Sequence, residues 1–293
     1  MREAIVNELV KEVKALMGNG YEVSASYIRK NNNYNMPAVA IKTPGKHVSP
    51  LIYVDEMCEL VESGKLTVKE AGRKVIDSYQ ESMREDFERD AGYIIKKEYI
   101  LNNVEYQMIN AEKNMEKLLD IPHKSVLDLA AIYRTIIPDK NASFVVSNAM
   151  MEVAGISLEE LDEAAARNTE RTGFSICSIG QKMMDLGAPA ELCEAPTLCP
   201  QLYVITNTRN FNGANALMCD SKMREVAEML GGDYFIIPSS VHELLAIPAA
   251  GIDVFDIKAI VGDINDNVVG PEEVLGYSVY RYVYESGTIE VAA

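Results

Sequence analysis

Apolar residues near the start of the chain recur with two different periods. Ile5, Leu9 and Val13 are spaced four residues apart, which places them on one face of a helix. Two shorter segments, 21–30 and 38–42, are rich in β-branched and aromatic residues and flank a turn rich in asparagine. This pattern predicts a helix followed by a β-hairpin.

A second amphipathic helix follows, and its start carries a capping signal. Thr67 and Glu70 have the spacing of a capping box, in which each side chain satisfies a backbone N–H group of the other residue. Residues 1–90 are therefore predicted as an α-β-β-α unit, and residues 91–293 as a larger α+β unit with an antiparallel sheet. The charged run 84–90 is predicted as a solvated helix end rather than a boundary.

Beyond the first unit, strand-like segments occur in neighbouring pairs. Segments 202–206 and 214–218 flank a turn rich in Asn and Gly, which predicts a second hairpin. The apolar segment 234–237 is predicted to end at Pro238, and segment 244–247 to pair back on it. Further strands are predicted at 104–108, 127–133, 144–146 and 277–284, and further helices at 111–118, 157–166, 223–230 and 253–268.

The order of these elements indicates the fold class. Most of the predicted strands are arranged in hairpins, and a repeated alternation of strand and helix is not visible. This order favours an α+β fold with an antiparallel-rich mixed sheet over a doubly wound parallel sheet.

Charge narrows the range of partners. The 293-residue chain has a formal charge of −16, with a pI near 4.7. Nucleic acids are bound by clustered Lys and Arg side chains, which release the condensed counterions. We therefore predict no nucleic acid among the partners. An acidic surface can instead meet a basic partner or imitate a nucleic acid, so a protein partner stays open.

The cysteines and the apolar segments indicate in which cellular compartment the protein is expected. The five cysteines are odd in number and mostly scattered, which fits reduced thiols better than a disulfide framework. Charged residues interrupt the apolar runs of the first helix, which argues against a signal peptide, and no later run approaches the roughly 20 apolar residues of a membrane span. We therefore predict a cytoplasmic protein without membrane contact.

The chemically richest segment follows the strand at 234–237. Ser240, His242 and Glu243 stand close together there, and strand ends are where scaffolds present functional groups. These three residues are candidates for a catalytic site. The zinc-protease motif H-E-x-x-H is not formed, because residue 246 is Ala. In the structural alternative, serine caps a turn that begins at Val241 and His242 packs beside it.

His123 is the remaining catalytic candidate. It precedes the strand that carries Asp128, so the imidazole could lie near a carboxylate at a sheet end, or it could simply bond to the backbone. The chain has only three histidines, and the third is His47, so a metal site built from several histidines has few candidates. Cys193 and Cys199 are too far apart for a zinc knuckle, and the glycine pairs follow helices, whereas phosphate-binding loops precede them. We predict neither a metal nor a cofactor.

Tyrosines are concentrated towards the C-terminus, and the whole chain contains no tryptophan. They offer large, rigid contact area with a polar tip, which suits a recognition surface. Alternating tyrosines in one strand are also typical of cross-strand packing. The residues concerned are Tyr277, Tyr280, Tyr282 and Tyr284.

Several segments, in the same order along nearly the whole chain, resemble a domain-of-unknown-function family found in anaerobic gut bacteria and their mobile elements. They are VEYQMINAEKN at 104–114, IPH at 121–123, LDLA at 127–130, YVITN at 203–207, IPSSVHE at 237–243 and PEEVL at 271–275. The resemblance implies a bacterial cytoplasmic setting and carriage on mobile elements, but no reaction. The segment 177–199 departs from the family pattern.

Two functions follow as hypotheses. The first is a binding or regulatory protein without catalytic activity, because no convincing catalytic constellation is visible in the sequence. The second is a hydrolase or other small-molecule enzyme that uses a corner formed by His242 and Glu243. Convergence of His123 and His242 in one pocket would favour the enzyme.

Overall fold

The structure is a computed structural model that describes residues 2–42, 51–83, 92–138, 142–185, 187, 189, 202–267 and 269–293. Contacts between α-carbons divide the chain into two compact units, Met1–Ile94 and Ile95–Ala293. All strand pairs in the described residues are antiparallel, and helices accompany the sheets in both units. The predicted α+β class is therefore confirmed. The charged run 84–90 lies outside the described residues.

In the described residues, the first unit has a three-stranded sheet accompanied by helices. The strands pair in the order β1-β2-β3, and a short 3-10 helix, Asn31–Asn33, joins the first two. The elements are α1 (Arg2–Met17), β1 (Glu22–Arg29), β2 (Asn35–Lys42), β3 (Leu51–Tyr53), α2 (Asp55–Glu62) and α3 (Val68–Ser82).

Local sequence accounts for most of this unit. Asn32 and Asn33 adopt positive φ angles, which asparagine tolerates better than most residues, and so they close the predicted hairpin. The Thr67 side chain accepts from the N–H of Glu70, and the Glu70 carboxylate accepts from the N–H of Thr67, so the capping box is confirmed. The sequence pattern did not predict the three-residue strand β3 or the helix α2.

The second unit carries two sheets. One has the order β4-β6-β5, with β7 also on β6, and the other has the order β13-β12-β10-β11-β9-β8. The strands are β4 (Val104–Asn110), β5 (His123–Val126), β6 (Leu129–Ile137), β7 (Ala142–Val145), β8 (Phe174–Ser178), β9 (Tyr203–Asn207), β10 (Tyr234–Ser240), β11 (Glu243–Pro248), β12 (Tyr280–Val283) and β13 (Thr288–Val291).

Helices lie between several of these strands along the chain. A second capping box, between Ser157 and Glu160, begins α7 as the sequence predicts, and Lys97 pairs with the same Glu160 carboxylate. This charge and these hydrogen bonds lower the pKa of Glu160 to about 2. The helices are α4 (Lys97–Asn103), α5 (Met115–Leu118), α6 (Asn148–Ala154), α7 (Leu158–Thr172), α8 (Ile179–Asp185), α9 (Asp220–Leu230) and α10 (Val254–Asn267).

The predicted hairpin between 202–206 and 214–218 is wrong. The first segment forms β9, but Gly213–Met218 is a 3-10 helix that lies almost entirely buried. Asn212 begins it with a φ of 58°, which turns the backbone away from a strand. The strand β11, from later in the chain, pairs with β9 instead.

The strand β10 does not end at Pro238 but continues to Ser240. Its register with β11 shifts between Ile237 and Ser240, so the missing N–H of proline interrupts no regular ladder. The Pro238 carbonyl accepts from the N–H of Gly276. Proline is thus accommodated at an irregularity that the sequence pattern did not reveal.

The C-terminal tyrosines are partly explained by packing between strands. Tyr234 and Tyr282 are opposite each other in register, and their rings stack with centroids 5.2 Å apart. Tyr280 is also fully buried. Tyr277, which is 40% exposed, lies before the strand. Cross-strand packing therefore applies to the two tyrosines of β12.

The buried faces generate a stability prediction. Leu9 and Ile236 are both 0% exposed, in the cores of the first and second unit. We expect Leu9→Ala and Ile236→Ala each to lower the free energy of unfolding by about 2–5 kcal/mol, because each leaves a cavity. Urea denaturation measures this loss. Leu119→Ala is the control, since Leu119 is 80% exposed; an equal loss there would contradict the explanation.

Candidate functional site

The turn between β10 and β11 holds His242 against two other parts of the second unit. The backbone N–H of His242 donates to Ser240 Oγ at 2.9 Å, which closes the turn. The loop that follows β9 lies on one side of the imidazole, and Glu273 lies on the other. We call this arrangement the His242 corner, and it comprises Asn207–Gly213, His242 and Glu273.

Both ring nitrogens of His242 have partners. The backbone N–H of Asn212 is 3.2 Å from Nδ1, so Nδ1 acts as the acceptor. This leaves Nε2 as the protonated nitrogen of the neutral ring, and it lies 3.3 Å from Glu273 Oε1. The imidazole therefore bridges a backbone amide and a carboxylate.

Glu273 is held near the turn by its own backbone as well. Its carbonyl accepts from the N–H of Val241 at 2.9 Å, next to the isolated bridge between Ser240 and Val274. The hydrogen bond from His242 lowers the pKa of the Glu273 carboxyl, and burial opposes that effect. Glu273 is thus an ionised carboxylate at neutral pH, with 41% of its side chain exposed.

The loop after β9 is organised by Asn207. Its side-chain amide donates to the Phe211 carbonyl at 2.6 Å, and its Oδ1 accepts from the N–H groups of Arg209 and Phe211. Asn210 adopts a positive φ of 52°, and its Oδ1 accepts from Lys182. Hydrogen bonds within residues 207–211, together with the one from Lys182, therefore define the loop's shape.

Gly213 lets this loop approach the turn closely. An added Cβ would lie well inside van der Waals contact with the His242 carbonyl oxygen and with Thr206 Oγ1. The same hydroxyl donates to that carbonyl at 2.8 Å. Glycine is required at position 213 because the gap is too narrow for any side chain. The residue with a positive φ is the preceding one, Asn212.

The corner presents one aromatic ring at the surface. Phe211 is 38% exposed, and its ring centroid is 5.3 Å from that of His242. The buried Oδ1 of Asn212 makes no hydrogen bond within the described part of the chain. An exposed ring, an ionised carboxylate and an unsatisfied acceptor therefore lie around one imidazole.

The other candidate residues occupy different places. Ser240 is buried, and its Oγ accepts from the backbone of His242 rather than from the ring. Glu243 begins β11 beside the corner. The exposed His123 begins β5, and its Nδ1 is 3.1 Å from the Ile121 carbonyl. Asp128 accepts hydrogen bonds from the hydroxyls of Tyr280 and Ser278.

Sequence patterns did not indicate two further polar clusters. Asp162 accepts from the hydroxyls of Tyr106 and Tyr133 and from Lys124. Glu105 is buried, pairs with Arg209 and accepts from Thr172. Together the two clusters join residues 29 to 104 positions apart, so no local spacing could have identified them.

The described residues contain neither a metal-binding group nor a membrane-spanning helix. No group of three or more His, Cys, Asp or Glu side chains there could hold a metal ion. The described helices are too short or too polar to cross a lipid bilayer. His47, Cys193 and Cys199, which the sequence pattern argues against as metal ligands, lie outside the described residues.

The fold and the corner together define an antiparallel α+β protein with a preorganised polar surface site. The chain belongs to the family of unknown function DUF5688, whose model matches residues 2–284. No curated protein and no solved structure matches the chain. The family membership therefore supplies no activity, and the function has to be argued from the geometry.

The close approach at Gly213 generates a prediction. We expect Gly213→Ala to lower the free energy of unfolding by about 1–3 kcal/mol, because the methyl group would have to displace the His242 carbonyl or Thr206. Gly262→Ala in α10 is the matched control. It has open space around its α-carbon and should gain about 0.5–1 kcal/mol from helix propensity. Equal effects of both substitutions in urea denaturation would refute the steric argument.

The pairing of Glu273 with His242 generates a pH prediction. The pKa of Glu273 is lowered in the folded protein, so its ionisation stabilises the fold above the unfolded pKa of about 4.3 and ceases to do so as pH falls through the folded pKa. We expect wild type to be more stable than Glu273→Gln at pH 6, and the difference to shrink as pH falls from 4 to 3. Urea denaturation at each pH measures it. A difference that widens on acidification would contradict the assigned direction.

Proposed function

We propose that the chain is a binding protein, without catalytic activity, that docks a basic segment of another protein at the His242 corner. The observation that carries the proposal is the engagement of both imidazole nitrogens. Nδ1 accepts from the Asn212 backbone, and Nε2 lies against Glu273. The ring therefore holds two surface elements together, and this role fits recognition.

The same geometry argues against the alternative of a hydrolase. A general base needs a nitrogen lone pair within reach of the proton that it removes. The basic lone pair of His242 faces a backbone N–H, and the Ser240 hydroxyl lies on the backbone side of the same residue. A serine nucleophile activated by this histidine would require the turn and the loop to rearrange.

The exposed chemistry of the corner favours a cationic group. Glu273 supplies negative charge, and the exposed ring of Phe211 offers a face on which a guanidinium or an ammonium group can lie. The formal charge of −16 adds long-range attraction for a basic partner. Arg209 and Lys182, also in this region, are already engaged by Glu105 and Asn210.

Rigidity of the loop supports recognition as well. Its backbone is held by Asn207, by the close approach at Gly213 and by the bond from Asn212 to the imidazole. A preorganised loop loses little conformational entropy when a partner binds. The corner therefore has the properties of a docking site that exists before the partner arrives.

The proposal predicts weak, salt-sensitive binding of a basic peptide. Fluorescence anisotropy with a labelled hexa-arginine peptide should show saturable binding that Phe211→Ala and Glu273→Gln each weaken at least fivefold. Glu285→Gln is the matched control, because Glu285 is exposed and its loss changes the net charge equally. Equal weakening by Glu273→Gln and Glu285→Gln, with no effect of Phe211→Ala, would reduce the interaction to overall charge and would refute the site.

The setting of the protein is a further proposal. We infer a cytoplasmic, bacterial protein that can be carried on mobile elements and can act in regulation. The cytoplasmic location is supported by three free cysteines in the described residues, Cys58, Cys177 and Cys219. Burial raises the pKa of the Cys58 and Cys219 thiols to about 11, so both stay protonated and unreactive at neutral pH.

A further inference from the structure

One face of the four-stranded sheet carries Arg134, a half-buried arginine that forms no ion pair with the described residues. Side chains alternate across a sheet, so Glu105 and Gln107 of β4 and Arg134 of β6 share one face. Glu105 is directly opposite Arg134 in register. His123 of β5 is opposite Ile132 and hence belongs to the same face.

Arg134 donates only to neutral groups within the described part of the chain. Its Nε bonds Gln107 Oε1 at 2.7 Å, and its Nη1 bonds Ser143 Oγ at 2.8 Å. A guanidinium has five N–H donors, so these two bonds leave three of them without a partner among the residues that the structure describes. The side chain is half-buried.

The neighbouring carboxylate is already committed. Glu105 pairs with Arg209 from the loop after β9 and accepts from Thr172 as well. Elsewhere in the unit, Arg281 pairs with Asp233, and Lys124 pairs with Asp162. Arg134 has no such counter-ion among the described residues, although its side chain is half-buried.

A half-buried positive charge without a counter-ion is costly. Burial lowers the pKa of the Arg134 guanidinium, yet arginine stays protonated at all physiological pH values. An anion that supplied the missing charge and accepted the free N–H groups would remove that cost. Carboxylates and phosphates match the planar guanidinium best, because two of their oxygens can accept in parallel.

We propose that Arg134, oriented by Gln107 and Ser143, forms a binding site for a small oxyanion, the carboxylate or phosphate group of a small molecule. The formal charge of −16 repels extended polyanions but leaves a local site open to a compact anion. The site lies on a different sheet from the His242 corner, so the inference does not depend on the proposed function.

Isothermal titration of the full chain with inorganic phosphate and, separately, with acetate tests the site, with ionic strength held constant by sodium chloride. We expect saturable binding of at least one anion. Arg134→Gln should weaken it at least tenfold, and Arg134→Lys should weaken it less, since lysine keeps the charge but not the planar fork. Arg171→Gln, at the exposed end of α7, removes the same charge and should leave the affinity within twofold.

The titration results distinguish an anion site at Arg134 from non-specific binding. Binding of phosphate alone or of acetate alone supports the site and identifies the geometry of the group that it takes. Non-saturable heat with both anions, or an equal loss in Arg134→Gln and Arg171→Gln, overturns the proposal. If Arg134→Gln does not fold, Arg134→Lys carries the test: an affinity equal to that of wild type would then show that the guanidinium fork is not the ligand.

Discussion

The contact on which the second unit's surface chemistry depends is the close approach of Gly213 to the carbonyl of His242. Any side chain at this position would collide with that carbonyl and with Thr206. Because the gap is closed, the Asn212 amide reaches the imidazole, and the ring in turn meets Glu273. The absence of a side chain at Gly213 therefore permits a series of polar contacts. They join the loop after β9, the turn between β10 and β11, and the segment that carries Glu273.

Polar groups in the second unit are mostly satisfied by partners distant in sequence, and this governs what each can do chemically. Asp162 is engaged by two tyrosines and a lysine, and Glu105 by an arginine and a threonine. Groups so occupied stabilise the fold and are poor bases or nucleophiles. Two groups differ: among the described residues the buried Asn212 Oδ1 has no hydrogen-bond partner, and Arg134 has free N–H donors and no counter-ion. The anion site that we propose uses the free donors of Arg134.

The acidity of the chain acts differently at these two places. At the His242 corner, the carboxylate of Glu273 and the overall field have the same sign, so both attract a cation. At Arg134 the local charge opposes the overall field, and for this reason the ligand that we propose there is a compact anion. The two proposed sites thus select ligands of opposite charge and belong to different sheets of the second unit.

The sequence by itself determined the elements whose causes are local. Both capping boxes, the first hairpin and the amphipathic helices follow from hydrogen bonds and apolar spacing within a few residues, so they could be predicted along with the antiparallel α+β class. Tertiary structure decided the rest. Residues 214–218 have strand-like composition but form a buried 3-10 helix, since β11 takes the place beside β9. His242 was identified from its neighbours in sequence, yet its partners Asn212 and Glu273 are 30 and 31 residues away. Such contacts depend on how the strands pair, and no pattern of local spacing encodes that pairing.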